Sequence, residues 1–418
     1  MPGPEKNQTA RRAVFAYPSF VLFQTGRTAM VVAMEMQSVA VGWQVFEITH
    51  RPLDLGLVGL VQFLPGILLF LVSGHVADRY DRQKLIMLCY IGYGLSFGLL
   101  LWTALREGRS VFPIFIILVI LGVMRVFNAP VSRAFLPQLV PEEDLPTAIA
   151  WASSFFQGAA ILGPAAGGVI YAAFRGPGAV YVTAMILTLV AVTCVIAIKA
   201  EAKPRAREPF NSKTVFAGLH YIWREKIVLG SLSLDLFAVL LGGAVALLPV
   251  YAREILHTGP WGLGLLRAAP GAGAAVMAIL LAYRPLRKKA GLTMLWCVAG
   301  FGVFTILFGV SHSLILSLVS LFFVGATDMV SLVVRAMLIQ VATPDEMRGR
   351  VNAVDMVFIG ASNELGEFES GLTAQWFGTV PAVILGGIGT IVVTAIWAWR
   401  FPELRKVEQV HSLPNRAA

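Results

Sequence analysis

Setting aside Arg133, Arg335 and Arg400 at the ends of their runs, ten charged residues lie inside stretches of sequence that are otherwise apolar: Arg27, Glu35, Arg125, Asp235, Arg267, Asp328, Asp355, Glu364, Glu367 and Glu369. At roughly 2.5 kcal/mol for each charge near a bilayer midplane, ten unrelieved charges would cost on the order of 25 kcal/mol, more than a usual net stability of about 5–15 kcal/mol. Most must therefore be paired, protonated or in contact with water. A buried carboxylate that takes up a proton loses its desolvation penalty and releases any cation paired with it, so such groups can turn proton entry into a change of partner. His50, His75, His220, His257, His312 and His411 all fall outside the centres of the apolar stretches, which leaves proton traffic to the carboxylates. The histidines and cysteines form no ligand spacing, and neither a metal nor a cofactor is expected.

The spacing of these residues sorts them onto faces. At 100° per residue, Gln24, Arg27, Thr28, Glu35, Ser38 and Gly42 fall within an arc of about 100°, a single polar stripe on the first apolar stretch. Arg125, Asn128 and Ser132 share one face of the fourth. Asp328, Ser331 and Arg335 share a face of the tenth, with Asp328 in the place of Arg125 and the charge inverted. The eleventh carries Asp355, Ser362, Asn363, Glu364, Glu367, Glu369 and Ser370, leaving a narrow apolar arc of Val357, Phe358, Ala361, Leu365, Phe368 and Leu372. Arg267 reads as a snorkelling or salt-bridging side chain.

The elements that must position these side chains are long and apolar. The chain has 418 residues, 57% hydrophobic and 14% charged, too few charges to solvate a large surface. Runs near 20–45, 55–76, 85–105, 112–136, 147–174, 179–198, 227–250, 262–282, 292–310, 314–337, 351–376 and 381–400 match the ~20 residues a helix needs to cross hydrocarbon. They lack the alternation of barrel strands. The two halves repeat. Gly59, Pro65 and Gly66 recur as Gly264, Pro270 and Gly271, while Gly122, Pro141, Phe155, Gly163 and Gly168 recur as Gly325, Pro344, Phe358, Gly366 and Gly371. The expected architecture is an all-α membrane protein with twelve transmembrane helices in two pseudo-symmetric six-helix bundles, 1–198 and 227–418, joined by a basic linker, 199–226. Two copies of a helical unit in one membrane chain mark alternating access, with the site between them.

Most of the 33 lysines and arginines fall in the tails and in the even-to-odd connections, so both termini are expected in the cytoplasm. Met1 to Tyr17 lacks the pattern of a removable signal, leaving insertion to the first span. The net charge of +9 follows from this asymmetry, and basic residues scattered at helix ends argue against a nucleic-acid partner. Cys89, Cys194 and Cys297 lie far apart in apolar segments and read as small packing residues. Val215 to Trp223 in the linker has apolar residues at helical spacing and reads either as a membrane-surface segment or as plain linker. No zinc-protease motif, phosphate loop or nucleophile motif occurs, so neither an enzyme nor a receptor reading finds support.

Between the second and third spans stands Gly74-His75-Val76-Ala77-Asp78-Arg79-Tyr80-Asp81-Arg82-Gln83-Lys84. It resembles the cytoplasmic-loop signature of the major facilitator superfamily: Gly74, Asp78, Arg79 and Arg82 match, Gln83 departs, and Asp81 stands where the family has a second glycine. In the fifth span, Gly163-Pro164-Ala165-Ala166-Gly167-Gly168 is similar to the antiporter element of that superfamily. The eleventh span resembles the corresponding helix of its enterobactin-exporter-like and drug-efflux branch. The resemblance covers nearly the whole chain and is weakest at Arg284 to Lys289. It implies that the first, fourth, seventh and tenth spans line a central cavity, with Arg27, Glu35, Arg125, Asn128, Asp235, Asp328 and Ser331 as substrate or proton residues, Glu364 and Glu367 as coupling candidates, and Gly74, Asp78, Arg79 and Arg82 as a cytoplasmic gate. The function implied is a monomeric, proton-coupled exporter of an amphipathic organic molecule such as a siderophore, drug or metabolite. It would sit in a bacterial-type cytoplasmic membrane. An importer or lysolipid flippase on the same fold is the alternative.

Overall fold

The computed structural model describes residues 14–106, 110–199, 219–284, 286 and 289–407. Most of the linker, both chain ends and part of the 284–289 loop lie outside these residues, as does the side chain of Asp78. Among the described residues twelve long helices follow one another: α1 Pro18–Thr49, α2 Pro52–Arg79, α3 Arg82–Leu105, α4 Phe112–Phe135, α5 Leu145–Phe174, α6 Gly178–Ala197, α7 Lys226–Gly242, α8 Gly259–Tyr283, α9 Ala290–Gly309, α10 Leu314–Ala342, α11 Asp345–Phe377 and α12 Thr379–Arg400. A short α13, Pro402–Arg405, ends the described chain. The helices generally overrun the apolar runs, because an apolar run marks only the hydrocarbon depth and the helix continues into its polar ends.

Eleven spans among the described residues are long and apolar enough to cross a membrane. Helix α11 is not among them, since its acidic side chains hold its hydropathy down. The protein is therefore an all-α, multi-pass membrane protein. Its outward side chains suit hydrocarbon: Leu68, Leu95, Leu105, Trp296, Ile315 and Trp399 are all more than half exposed, a load that water would not tolerate over so many sites.

Local chemistry sets the helix boundaries. Prolines at the first helical positions of α2, α4, α5 and α8 cost no hydrogen bond there and preset the backbone. Asp81 caps α3, its Oδ1 accepting from the Lys84 N–H at 3.0 Å. Its φ of −59° is ordinary, so this position has no need of the glycine found in the family signature.

The described chain divides into two compact units, Met1–Gln44 with Leu64–Phe210, and Val45–Phe63 with Asn211–Ala418. In the first, α3 lies against α4 and α6 around the buried rings of Tyr90, Tyr93, Phe97 and Tyr181. Gly26 of α1 sits on Ala191 and Cys194 of α6. In the second, α7, α9, α10 and α12 enclose Leu234, Ala238, Met294, Val298, Val330 and Val334. Two segments bind onto this core. Ile222, in the helical turn 219–224, packs with Val228, Leu232, Ile339 and Val351. The Tyr221 hydroxyl donates to the Ala342 carbonyl at 2.5 Å, and burial pushes that hydroxyl above its ordinary pKa. This end of the linker is thus docked on the protein. Leu404 and Val407 fold back onto α9 at Ala290 and Gly291.

The seventh run is one span by length and hydropathy, Lys226–Ile255, but its helix is interrupted within the span. After Gly242 it continues as 3-10 helix, Ala244–Leu247, a turn of α-helix, Leu248–Val250, and π-helix, Tyr251–Ile255. The Gly242-Gly243 pair and Pro249 supply the weakness. Thr390 of α12 donates to the Ala238 carbonyl at 3.0 Å, so a backbone acceptor near the break is satisfied by a neighbouring helix.

Candidate transport site

In the first unit the polar stripe of α1 meets the glycine motif of α5. A Cβ on Gly163 would lie 2.5 Å from Glu35 Cβ and 3.2 Å from the Val32 carbonyl oxygen, and one on Gly167 would lie 2.8 Å from Met36 Cα. The glycines let two backbones approach where any side chain would hold them apart. Glu35 and the antiporter-like motif, far apart in sequence, are therefore neighbours, with Pro164 and Gly168 buried beside them. Along the same stripe Gln24 Nε2 donates to Thr28 Oγ1 at 3.3 Å, and Thr28 donates to the Gln24 carbonyl at 2.7 Å. Arg27 is half-buried and Arg125 exposed. On α4, Ser132 Oγ donates to Asn128 Oδ1 at 3.1 Å.

The loop signature is tied down chiefly by hydrogen bonds to helix ends. Arg82 donates to the Ala134 carbonyl of α4 at 3.0 Å. Gln83 donates to the carbonyls of Val195 and Ile198 at the end of α6, at 2.8 and 3.0 Å. The residue that departs from the signature thus satisfies carbonyls that the helix end leaves open. Gly74 is half-buried and Arg79 exposed.

The second unit holds the densest charge. Arg335 of α10 binds the Asp235 carboxylate of α7 and lies 3.6 Å from that of Asp355 of α11. Arg335 is 3% and Asp235 6% exposed. One and two turns away on α10, Ser331 and Asp328 join Asp235 in lining a small cavity, lined otherwise by Ala238, Val239, Val298, Phe301 and Thr327. Three of the predicted site residues, Asp235, Asp328 and Ser331, are thereby brought together. Arg335 and Asp355 complete the group; the sequence marked both as polar without showing that they share a partner.

Glu364 and Glu367 stand apart from this cavity, on α11 over the start of α2. A Cβ on Gly59 would fall 2.5 Å from Glu367 Oε2 and 3.1 Å from Glu364 Oε2. One on Gly56 would fall 2.9 Å from the Glu367 carbonyl oxygen. Glu369, one helical step on, accepts from Thr373 at 2.6 Å. Among the described residues, no group of three or more His, Cys, Asp or Glu side chains is placed to hold a metal ion.

A membrane-spanning helical chain with recurrent glycine contacts and charged groups at membrane depth has the form of a secondary transporter, and solved transporters share it. A bacterial homologue of the human lysosomal transporter Spinster, inward-facing and unoccupied, superposes with a TM-score of 0.72 at 12% identity, covering 93% of this chain and 98% of its own. A POT family transporter in complex with 5-aminolevulinic acid gives 0.73 at 11% identity, covering 93% and 96%. Residues 12–417 match the transmembrane secretion effector family of the major facilitator superfamily, and the chain belongs to that family. The enterobactin exporter EntS of Citrobacter koseri is 25% identical over 404 residues, 96% of each chain. The protein is a secondary transporter of a bacterial-type membrane, and its family is one of transporters rather than enzymes.

Proposed function

We propose that the chain is a proton-coupled exporter that moves an amphipathic organic molecule, a siderophore or a compound of similar character, by alternating access. In this reading α11 is the twelfth span. Bundles 1–198 and 227–418, joined by 199–226, rock about a cavity to which α1, α4, α7 and α10 contribute Arg27, Glu35, Arg125, Asn128, Asp235, Asp328 and Ser331. The termini are cytoplasmic and the protein works as a monomer. Asp78, with Gly74, Arg79 and Arg82, holds the cytoplasmic gate.

The carrying observation is the group of three carboxylates with one buried guanidinium among them: Asp235 and Asp355 pair with Arg335, and Asp328 shares a cavity with Asp235. Acidic groups in excess of their counter-charge at membrane depth are costly when ionised and are relieved by protons, which suits exchange of an entering proton for a departing substrate. The Gly163 to Gly168 element beside Glu35, and relatives named for export, favour the outward direction. An importer or lysolipid flippase would show the opposite flux or a lipid preference.

The test is transport by the purified protein in liposomes under an imposed pH gradient, with enterobactin as first probe and then a panel of siderophores, drugs and lysolipids. Uphill movement of a panel compound that collapses with a protonophore is expected. Equal flux with and without the gradient would contradict the reading.

A further inference from the structure

Proton coupling leaves open which carboxyl carries the proton, and the cavity of the second unit narrows the choice. Its volume is about 10 Å³, the room of a single water molecule. Ser331, 2% exposed, is one of its lining residues, and the Ser331 hydroxyl has no hydrogen-bond partner. Asp328 lines it too, and among the described residues no side chain hydrogen-bonds or ion-pairs with it. A hydroxyl without a protein partner and a carboxylate, carried by residues that line one water-sized space, are groups that a buried water would join.

The charged surroundings are few. From α7 comes Asp235 and from α11 Asp355, both bound to Arg335 of α10 itself. Helix α9 brings Val298 and Phe301 to the cavity, and Cys297 is its one titratable side chain. Helix α8, crossing α10 where Pro270 meets Gly325 and Gly273 meets Phe322, carries Arg267 as its one charged residue. Arg335 thus has two carboxylates on it, and Asp328 is the third.

We propose that this cavity holds one water molecule, hydrogen-bonded to Ser331, and that Asp328 takes the coupling proton from it, while Asp235 and Asp355 hold Arg335 in place. The proposal rests on the proton-coupled reading and specifies its site. In the step, an O–H bond forms on an Asp328 carboxylate oxygen and one breaks in the hydronium formed at the cavity water. The cluster changes from two net negative charges to one. Asp235 stays ionised, because protonating it would give up its hydrogen bond to the guanidinium, and Asp355 stays ionised as the second carboxylate ion-paired with the same cation, at 3.6 Å. Glu35, in the other unit, is not the carrier.

Infrared spectroscopy of the purified full-length protein in lipid tests this without a transport substrate. A protonated carboxyl absorbs at its own C=O stretch and shifts in deuterium oxide, so a pH titration reports it directly. The wild type should show a carboxyl band that grows as pH falls. Asp328→Asn should lose one carboxyl's share of the band, and Glu35→Gln should keep that share. Ser331→Ala, which leaves every charge in place, should move the frequency of that share by removing a hydrogen bond from the water, and it serves as the second variant if Asp328→Asn fails to fold. A share lost in Glu35→Gln and kept in Asp328→Asn overturns the assignment, as does a Ser331→Ala spectrum identical to wild type. Replacing choline chloride by sodium chloride at constant pH should leave the band unchanged; displacement by sodium would make the cavity a metal-cation site and overturn the proposal. Failure of proton coupling itself reads out separately, as wild-type flux indifferent to the gradient.

Discussion

Helices α4 and α10 occupy equivalent places in the repeat and carry polar triplets at the same spacing, yet they satisfy them in different ways. On α4 the exposed Arg125 stands above a local bond from Ser132 to Asn128. On α10 the arginine has moved to the buried end of the triplet, where Arg335 binds partners from two other helices. A local bond asks nothing of neighbouring helices. A bond across helices makes the charge part of the core, and the second unit is built around it. The same inherited face has thus become an accessible cation in one unit and a buried ion cluster in the other.

Arg335→Ala strikes this difference hardest. Removing the shared cation strands Asp235 and Asp355, and breaking a buried pair in this way costs about 3–5 kcal/mol. Thermal unfolding of the purified variant in detergent should drop sharply, with partial recovery on adding Asp235→Asn. Arg125→Ala, at an exposed position, should stay within about 0.5 kcal/mol of wild type in stability while losing transport. Equal destabilisation by both would erase the contrast.

Where the units are alike, they should respond alike. A Cβ on Gly366 would lie 2.9 Å from the Val239 carbonyl oxygen on α7, as one on Gly163 meets α1. Gly163→Ala and Gly366→Ala should each destabilise by about 1–3 kcal/mol through overpacking. Gly158→Ala, whose Cβ meets nothing within 4 Å, should be neutral or more stable by about 0.5–1 kcal/mol, the helical gain of alanine over glycine. The same unfolding assay measures all three, and a destabilising Gly158→Ala would break the packing account.

If Arg125 and Asp328 serve one substrate in the proposed cavity, a double-mutant cycle on substrate affinity should give a coupling of about 0.5–3 kcal/mol. Additive losses would assign them to separate partners.

The smallest effect is expected at the exposed pair of Lys226 and Glu403, 3.3 Å apart. The Glu403 carboxyl is held below its usual range first by its own backbone N–H and then by Lys226. Its contribution to stability is present above the ordinary carboxylate pKa and fades as pH falls through the lowered value. Lys226→Ala should leave the unfolding midpoint at neutral pH unchanged within error, and any difference should vanish in acid.

Much of this was legible in the chain. Apolar run length located the helices, and two of the glycines that repeat between halves meet a neighbouring helix closely: Gly163 against α1, Gly366 against α7. Periodicity placed Asp328, Ser331 and Arg335 on one face. It did not name the partners, because a face has a direction along its own helix and carries no record of which distant helix lies opposite. Asp235 and Arg335 are 100 positions apart, and only folding brings them together. The break after Gly242 was hidden for a related reason: glycines are common in membrane helices, and whether a pair interrupts the helix depends on the neighbours it meets in the fold. The docking of Ile222 depended likewise on distant residues, since Ile339 and Val351 complete the cluster that Val228 and Leu232 begin.

The most direct test of the account asks whether Asp328 couples the proton gradient to transport. Liposomes containing wild type or Asp328→Asn would be given an imposed proton gradient, and movement of a transported panel compound followed against it and, separately, by exchange at equilibrium. The account predicts gradient-driven accumulation by wild type, and exchange without accumulation by Asp328→Asn. Gradient-driven accumulation by Asp328→Asn at the wild-type level would contradict it.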